Sequence, residues 1–210
     1  MGSFLIFCAG EFDGPAEPIR PEDYLLAADG GYRHFEKLGR EPDGIIGDFD
    51  SLGYVPAGAR VFPVEKDDTD SMLAVRQGLA MGYDRFVLYG AMDGPRLDHT
   101  IANLQTLQFL CDHGVAGYLV GLSTIATVLH GETVTFSENW KGILSLFCLG
   151  PDASGVTIRG LQYPMERGRL TSGFPLGVSN HFLGRRASVR VEQGSVLALW
   201  DRRNGLIPGR

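Results

Sequence analysis

The segment Gly47-Asp48-Phe49-Asp50-Ser51 follows the apolar pair Ile45-Ile46 and runs into a polar turn. If residues 44–48 form a strand, both carboxylates leave its C-terminal end on one side, because strand side chains repeat every two residues. Phe49 is then directed the opposite way, into packing. Two carboxylates this close repel each other unless a cation sits between them. A hard divalent ion, Mg²⁺ above all, suits one or two carboxylates completed by water and phosphate oxygens. A lone Asp-x-Asp reads more readily as a solvated turn. Three further acidic stations at similar strand ends shift the reading toward a site.

Upstream, Phe4-Leu5-Ile6-Phe7-Cys8-Ala9-Gly10 is a continuous apolar run that suits a strand buried on both faces. Tyr24–Ala28 repeats the pattern and ends in Asp29-Gly30-Gly31. Tyr32, Phe35 and Leu38 then recur at helical spacing, and Gly39 supplies the stop. Asp29 thus marks a strand-to-helix turn, either as an N-cap or facing a ligand that the glycines let close.

Downstream, a strand over Val61–Val64 leads into Glu65-Lys66-Asp67-Asp68-Thr69-Asp70-Ser71 and a helix with Met72, Val75 and Leu79 on one face. Thr69 or Asp70 serves as its N-cap, yet four acids and a lysine exceed what a cap requires. Arg85–Gly90 is a strand that empties into Ala91-Met92-Asp93-Gly94-Pro95-Arg96-Leu97-Asp98-His99. The helix after it carries Ile101, Leu104, Leu107 and Cys111 inward and stops at Gly114, before a strand over Val115–Leu122.

Strands alternating with helices imply right-handed βαβ units and a mostly parallel sheet. Such sheets bind ligands beyond the carboxyl ends of their strands. Asp29, Asp48 with Asp50, Lys66 with Asp70, and Arg96 with Asp98 all fall at that edge. There is no GxxxxGK[ST] loop and no GxGxxG, which excludes a P-loop NTPase and the common dinucleotide binders.

Near residue 124 the pattern changes. Short alternating runs follow at Ile125–His130, Thr133–Phe136, Gly142–Leu149, Val156–Arg159, Ala187–Val191 and Ser195–Trp200, punctuated by Gly, Pro and Asn. They describe a small antiparallel β domain, a sandwich or a barrel. The expected fold is therefore a mostly parallel α/β domain over residues 1–123 and a smaller antiparallel β domain over residues 124–210. His130, His181, Trp140 and Trp200 lack metal-ligand spacing and read as surface or core residues. The aromatic and aliphatic residues around Phe174, Phe182 and Trp200 predict an apolar patch that a partner covers.

Composition sets bounds on function. With 210 residues, 44% hydrophobic, and a formal net charge of −6, the chain is an ordinary globular protein. That charge disfavours a nucleic-acid or anionic-membrane surface. Cys8, Cys111 and Cys148 lie far apart among apolar neighbours, as reduced thiols do. No apolar stretch approaches the ~18 residues that span a bilayer, and no signal peptide is expected. The expected compartment is the cytoplasm.

Taken together, these motifs resemble the thiamin pyrophosphokinase (thiamine diphosphokinase) family. Its pattern is met here by Ala28–Gly31, Gly47–Ser51, Lys66–Asp70, Arg96–His99 with Asn103, and Ser179-Asn180, in order and nearly end to end. The resemblance implies an N-terminal α/β domain, a C-terminal β-sandwich, and a homodimer with thiamin bound where subunits and domains meet. It implies Mg²⁺-dependent transfer of a pyrophosphoryl group from ATP to the thiamin hydroxyl, giving thiamin diphosphate and AMP. By the same resemblance, Asp48, Asp50 and Asp70 hold magnesium, and Lys66 and Arg96 contact the triphosphate. Asp29, Asp98, His99 and Asn103 line the ATP pocket. Ser179 and Asn180 hold thiamin, with Tyr163 as an aromatic beside it.

Two departures from the family pattern stand out. A proline precedes Arg96, removing an N–H that would face phosphate, and His181 replaces an acid after Ser-Asn. The chemistry asks for a proton acceptor at the attacking hydroxyl. Asp98, with His99 behind it, and a metal-bound carboxylate such as Asp70 both qualify. Two alternative functions stay open at this level: a pterin-alcohol pyrophosphokinase, and a nucleotide- or metal-sensing module without turnover.

Overall fold

The computed structural model describes residues 2–63, 65 and 67–210. It divides into two compact units, residues 1–122 and 123–210. The strands of the first unit are β1 (Phe4–Phe7), β2 (Tyr24–Ala28), β3 (Gly44–Gly47), β4 (Arg60–Val61), β5 (Arg85–Tyr89) and β6 (Ala116–Val120). All of their pairings are parallel, in the order β4-β3-β2-β1-β5-β6. Strand β1 is buried along its whole length, which is why its sequence shows no alternation. The chain winds outward from β1 to β4, then returns to lay β5 against the other side of β1. That reversal between β1 and β5 is a topological switch point, the usual place for a ligand in an open α/β sheet.

Among the described residues, three helices accompany the sheet: α1 (Arg33–Leu38), α2 (Asp70–Ala80) and α3 (Leu97–Asp112). A left-handed Gly39 (φ 60°) closes α1, and the Thr69 hydroxyl caps α2 by accepting from the Met72 amide at 3.2 Å. The buried faces of α2 and α3 differ from the apolar stripes of the sequence. On α2 the inner residues are Ser71, Ala74, Val75 and Gly78, with Met72 and Leu79 only half-buried. Small residues win because the helix sits hard on aromatic rings: a Cβ at Gly78 would lie 2.4 Å from Phe86 and 2.9 Å from Phe4. On α3 the inner face is Asn103, Thr106, Leu107 and Leu110, while Ile101 is 52% exposed. A satisfied polar residue, Asn103, holds the place the periodicity gave to a hydrophobe.

The second unit is antiparallel. Its strands are β7 (Thr124–His130), β8 (Thr133–Phe136), β9 (Ile143–Arg159), β10 (Met165–Leu170), β11 (Gly177–His181), β12 (Ala187–Arg190) and β13 (Gln193–Asp201). The two runs read from the sequence as Gly142–Leu149 and Val156–Arg159 are one 17-residue strand, β9. Its first half lies between β13 and β11 and its second half between β12 and β10. A strand shared in this way belongs to two layers, as at the corner of a sandwich. Gly150 (φ 85°) and Gly155 (φ 66°) fall along it where the alternation lapses.

Between the layers lie Phe136, Trp140 and Trp200, with the two indoles 5.7 Å apart. Trp200 is 2% exposed and donates its indole N–H to Gly205 O at 2.9 Å. Phe182 packs on Phe136 and Trp140. Of the three residues expected on an apolar patch, only Phe174 is exposed, and Phe147 lines the same cleft. Among the described residues, no helix is long and apolar enough to cross a membrane.

Candidate active site

Two of the four acidic stations, Asp29 and the Asp48–Asp50 pair, meet at the carboxyl ends of β2 and β3. Ligand oxygens of Asp29, Asp48 and Asp50 all lie within 4.8 Å of one another. The strand-period argument does not explain the meeting of Asp48 and Asp50. Strand β3 ends at Gly47, and Phe49 has a left-handed φ of 60°. A tight turn brings the carboxylates together while Phe49 stays buried at 3% exposure. A bulky residue in that region is strained, and the burial of its ring holds it there.

Asp29 is reached from β2 by a second left-handed residue, its own φ being 47°. It opens a 3-10 turn, Asp29–Tyr32, and makes no side-chain cap. Glycines allow the approach of the two turns: a Cβ on Gly47 would sit 2.8 Å from the Asp29 Cα. Ser51 Oγ donates to Asp29 Oδ2 at 2.7 Å, and the Ser51 carbonyl accepts from Arg33 Nη2 at 2.5 Å. Asp29 Oδ1 is buried and lacks a hydrogen-bond partner among the described residues. An unmatched buried carboxylate oxygen beside two further carboxylates fits a hard divalent cation. Neither Arg33 nor the coupling of Ser51 to Asp29 was read from the sequence, since both depend on the turn geometry.

Asp70, the first residue of α2, is not a member of this three-carboxylate group. Its charge acts on Cys8, whose thiol is pushed up to about 12, first by burial and then by Asp70. That thiol is inert as a nucleophile. Lys66 lies outside the described residues.

The switch point is built by close backbone contact. Gly10 N donates to Gly90 O at 2.9 Å, and a Cβ on Gly10 would lie 2.4 Å from that oxygen. His34 is buried, with Nε2 3.0 Å from the Cys8 carbonyl oxygen, so it ties α1 to the end of β1. Burial lowers its pKa, more than the Cys8 and Gly10 carbonyls raise it.

After β5, Asp93 (φ 59°) accepts from the Leu122 amide at 2.6 Å and anchors the loop that leads to Arg96. Arg96 stands at the N-cap position of α3 and grips Asp98 through two hydrogen bonds, of 3.2 and 2.5 Å. Both side chains are exposed, and the Arg96 hydrogen bond holds the Asp98 carboxyl below the usual carboxylate range. His99 is exposed beside them. Asn103 is not open to a ligand in the same way. Its amide is 6% exposed, accepts from Ser71 Oγ at 2.8 Å and donates to Ala91 O at 2.8 Å. It ties α2, α3 and the β5–α3 loop together.

In the second unit, Tyr163, Ser179 and Asn180 form a separate group. Tyr163 is 60% exposed, whereas Asn180 is 5% exposed. Ser179 adopts φ 59°, and its amide donates to Ser145 Oγ at 3.1 Å. His181 follows on the exposed side of β11.

Comparison with known proteins supplies the family. The model of the thiamin pyrophosphokinase catalytic domain matches residues 17–116, and that of the thiamin pyrophosphokinase vitamin B1 binding domain matches residues 132–196. The thiamine pyrophosphokinase of Bacillus subtilis is 26% identical over 164 residues, covering 73% of this chain and 76% of its own. The crystal structure of a Bacillus subtilis thiamine pyrophosphokinase shares the fold with a TM-score of 0.82 at 21% identity, covering 95% of this chain and 98% of that one. A thiamin pyrophosphokinase family protein from Enterococcus faecalis gives 0.78 at 25% identity, covering 96% and 99%. The Candida albicans thiamin pyrophosphokinase gives 0.76 at 15% identity, covering 94% and 88%. With both family domains matched in order on the two units that carry these sites, the chain belongs to the thiamin pyrophosphokinase family.

Proposed function

We propose that this chain is a magnesium-dependent thiamin diphosphokinase of the cytoplasm, which moves a pyrophosphoryl group from ATP to the thiamin hydroxyl and releases AMP. The observation that carries the reading is the cluster of Asp29, Asp48 and Asp50 with its unmatched buried oxygen. The choice of acceptor rests on family membership and on the vitamin B1 binding domain match. Bound at the cluster, magnesium would neutralise phosphate oxygens as charge moves toward the leaving AMP.

The chain's own residues do the rest. Asp29, Asp48 and Asp50 supply the metal-binding oxygens, and Ser51 keeps Asp29 turned toward the other two. On the strength of the Lys-Asp-x-Thr-Asp motif, Asp70 joins them and Lys66 contacts the triphosphate. Arg96 offers a planar, exposed fork of donors suited to phosphate. Asp98 already occupies that fork, so an arriving phosphate competes with it. Once Arg96 turns to phosphate, Asp98 loses the hydrogen bond that keeps its proton affinity low. It then accepts the thiamin hydroxyl proton as that oxygen attacks the β-phosphorus and the bond to AMP breaks. His99 stands next to it to pass the proton on. Asn103 supports the ATP pocket from behind through Ser71 and Ala91. On the second unit, Tyr163, Ser179 and Asn180 form the thiamin side.

The test is AMP release from ATP and Mg²⁺ with thiamin, with a hydroxymethylpterin, and without acceptor. AMP matched one to one by thiamin diphosphate, with thiamin alone, supports the proposal. AMP only with the pterin, or equally without any acceptor, rejects it.

The proposal includes a homodimer through the second unit. Phe147 (36% exposed), Phe174 (65%) and Leu176 (54%) leave apolar surface that a second copy would bury. Sedimentation should give a dimer at micromolar protein. A monomer with full activity would reject this part.

A further inference from the structure

Every polar atom of the Asn180 side chain is committed to the main chain. Its Oδ1 accepts from the Tyr163 amide at 2.9 Å and from the His181 amide at 3.0 Å. Its Nδ2 donates to the Tyr163 carbonyl at 2.7 Å. With 5% of the residue exposed, little of it is left to meet a ligand. The amide works as a two-ended clamp across 17 residues, replacing the strand pairing that the Tyr163 backbone would otherwise need.

The turn it clamps is braced elsewhere. Leu161 forms a bridge with Phe182, and Gln162 N donates to His181 O at 3.1 Å. Gly160 (φ 77°) passes so close to the chain that a Cβ would lie 2.2 Å from the Arg186 carbonyl. Pro164 fixes the backbone on the far side. This rigid turn presents its one aromatic side chain, Tyr163, to solvent, with the hydroxyl accepting from Gln162 Nε2 at 3.4 Å. A stiff turn that holds out a bare aromatic face is what a flat cationic ligand requires, because the ring is ordered before binding and the cation meets its π-face.

We infer that Asn180 is a positioning residue, which serves the flat, cationic acceptor by holding the Tyr163 turn and not by touching the acceptor. This deepens the acceptor assignment above and rests on it. The left-handed Ser179 fits the same arrangement, because it swings the chain so that the next side chain, Asn180, enters the protein.

The test is a double-mutant cycle read as KM for thiamin, with KM for ATP and the thermal midpoint measured alongside. Asn180→Ala and Tyr163→Ala should each raise the thiamin KM about tenfold, the scale of one cation–π contact. The double variant should match Tyr163→Ala to within a factor of about two, since both changes remove the same interaction. KM for ATP should stay level in all three. Asn180→Asp keeps both accepted bonds and loses the donated one, so it should fall between wild type and Asn180→Ala. It also provides the reading if Asn180→Ala does not fold. Additive effects, about a hundredfold in the double variant, would mean that Asn180 contacts the acceptor itself and would overturn the inference. So would an unchanged thiamin KM in Asn180→Ala beside a raised one in Tyr163→Ala. An unchanged thiamin KM in Tyr163→Ala would instead reject the acceptor assignment on which the inference stands.

Discussion

Ser51 donates its hydroxyl to Asp29 Oδ2 at 2.7 Å, while Asp29 Oδ1 stays buried without a hydrogen-bond partner among the described residues. One oxygen of the carboxylate is fixed by the protein and the other is kept for something else. Ser51 ends the Gly47–Ser51 turn and Asp29 opens the turn after β2, so this bond joins the two strand ends that carry the cluster.

Ser51→Ala should therefore weaken magnesium dependence more than it weakens the fold. An exposed hydrogen bond of this kind contributes about 1 kcal/mol or less to stability. Freeing Asp29 to rotate should raise the magnesium concentration for half-maximal activity by roughly tenfold, the scale of losing one oriented outer-shell contact. Ser51→Thr, which keeps the hydroxyl, should restore most of it. Activity against magnesium concentration for the three proteins checks this.

Asn103→Ala should act mainly on stability. It removes the partner of the Ala91 carbonyl and one of two partners of Ser71 Oγ, the other being Thr69 Oγ1 at 3.0 Å. A buried group left unpaired costs about 1–3 kcal/mol, so a loss of roughly 1–3 kcal/mol is expected, mainly from the Ala91 carbonyl. A lowered urea midpoint with an unchanged m-value would show it. An unchanged midpoint together with a raised KM for ATP would make Asn103 a direct nucleotide contact instead.

This contrast shows what the sequence could carry. The strands β1, β2, β3 and β5 were legible because burial on both faces leaves unbroken apolar runs. Asp29 and the Asp48–Asp50 pair, which the structure brings together, were legible because each follows such a run. The inner faces of α2 and α3 were not, because Gly78 answers to the bulk of Phe4 and Phe86, and Asn103 to partners far off in the chain. Strands β10 and β11 escaped notice because Met165–Leu170 and Gly177–His181 are mostly exposed and polar. The bend in β9 looked like a break, since Gly150-Pro151 interrupts the alternation while the strand continues. The hydrogen bonds of Asn180 were not legible because Tyr163 lies 17 residues away. Lys66, read from its motif, lies outside the described residues.

Stability should fall as the pH drops, with His34 contributing. Burial lowers the pKa of this ring below its unfolded value of about 6.5. The unfolded chain therefore takes up the proton first as pH falls. The native state loses stability from about pH 6.5 down to the folded pKa, below which the loss levels off. His34→Gln can still donate to the Cys8 carbonyl but does not titrate in this range. The gap in thermal midpoint between wild type and His34→Gln should thus shift in favour of the variant as pH goes from about 7.5 to about 5.5. A gap that is constant with pH would assign the acid sensitivity to other groups.

The central claim is that Asp29, Asp48 and Asp50 together form the magnesium site of pyrophosphoryl transfer. The most direct measurement is the rate of AMP formation from ATP and thiamin, at saturating magnesium, for Asp29→Asn, Asp48→Asn and Asp50→Asn, with the thermal midpoint of each in the absence of metal. Each variant should lose roughly two to four orders of magnitude in turnover. Their midpoints should stay level or rise, because removing one of three mutually repelling charges does not weaken the fold. Near-normal turnover in Asp48→Asn and Asp50→Asn would contradict the claim.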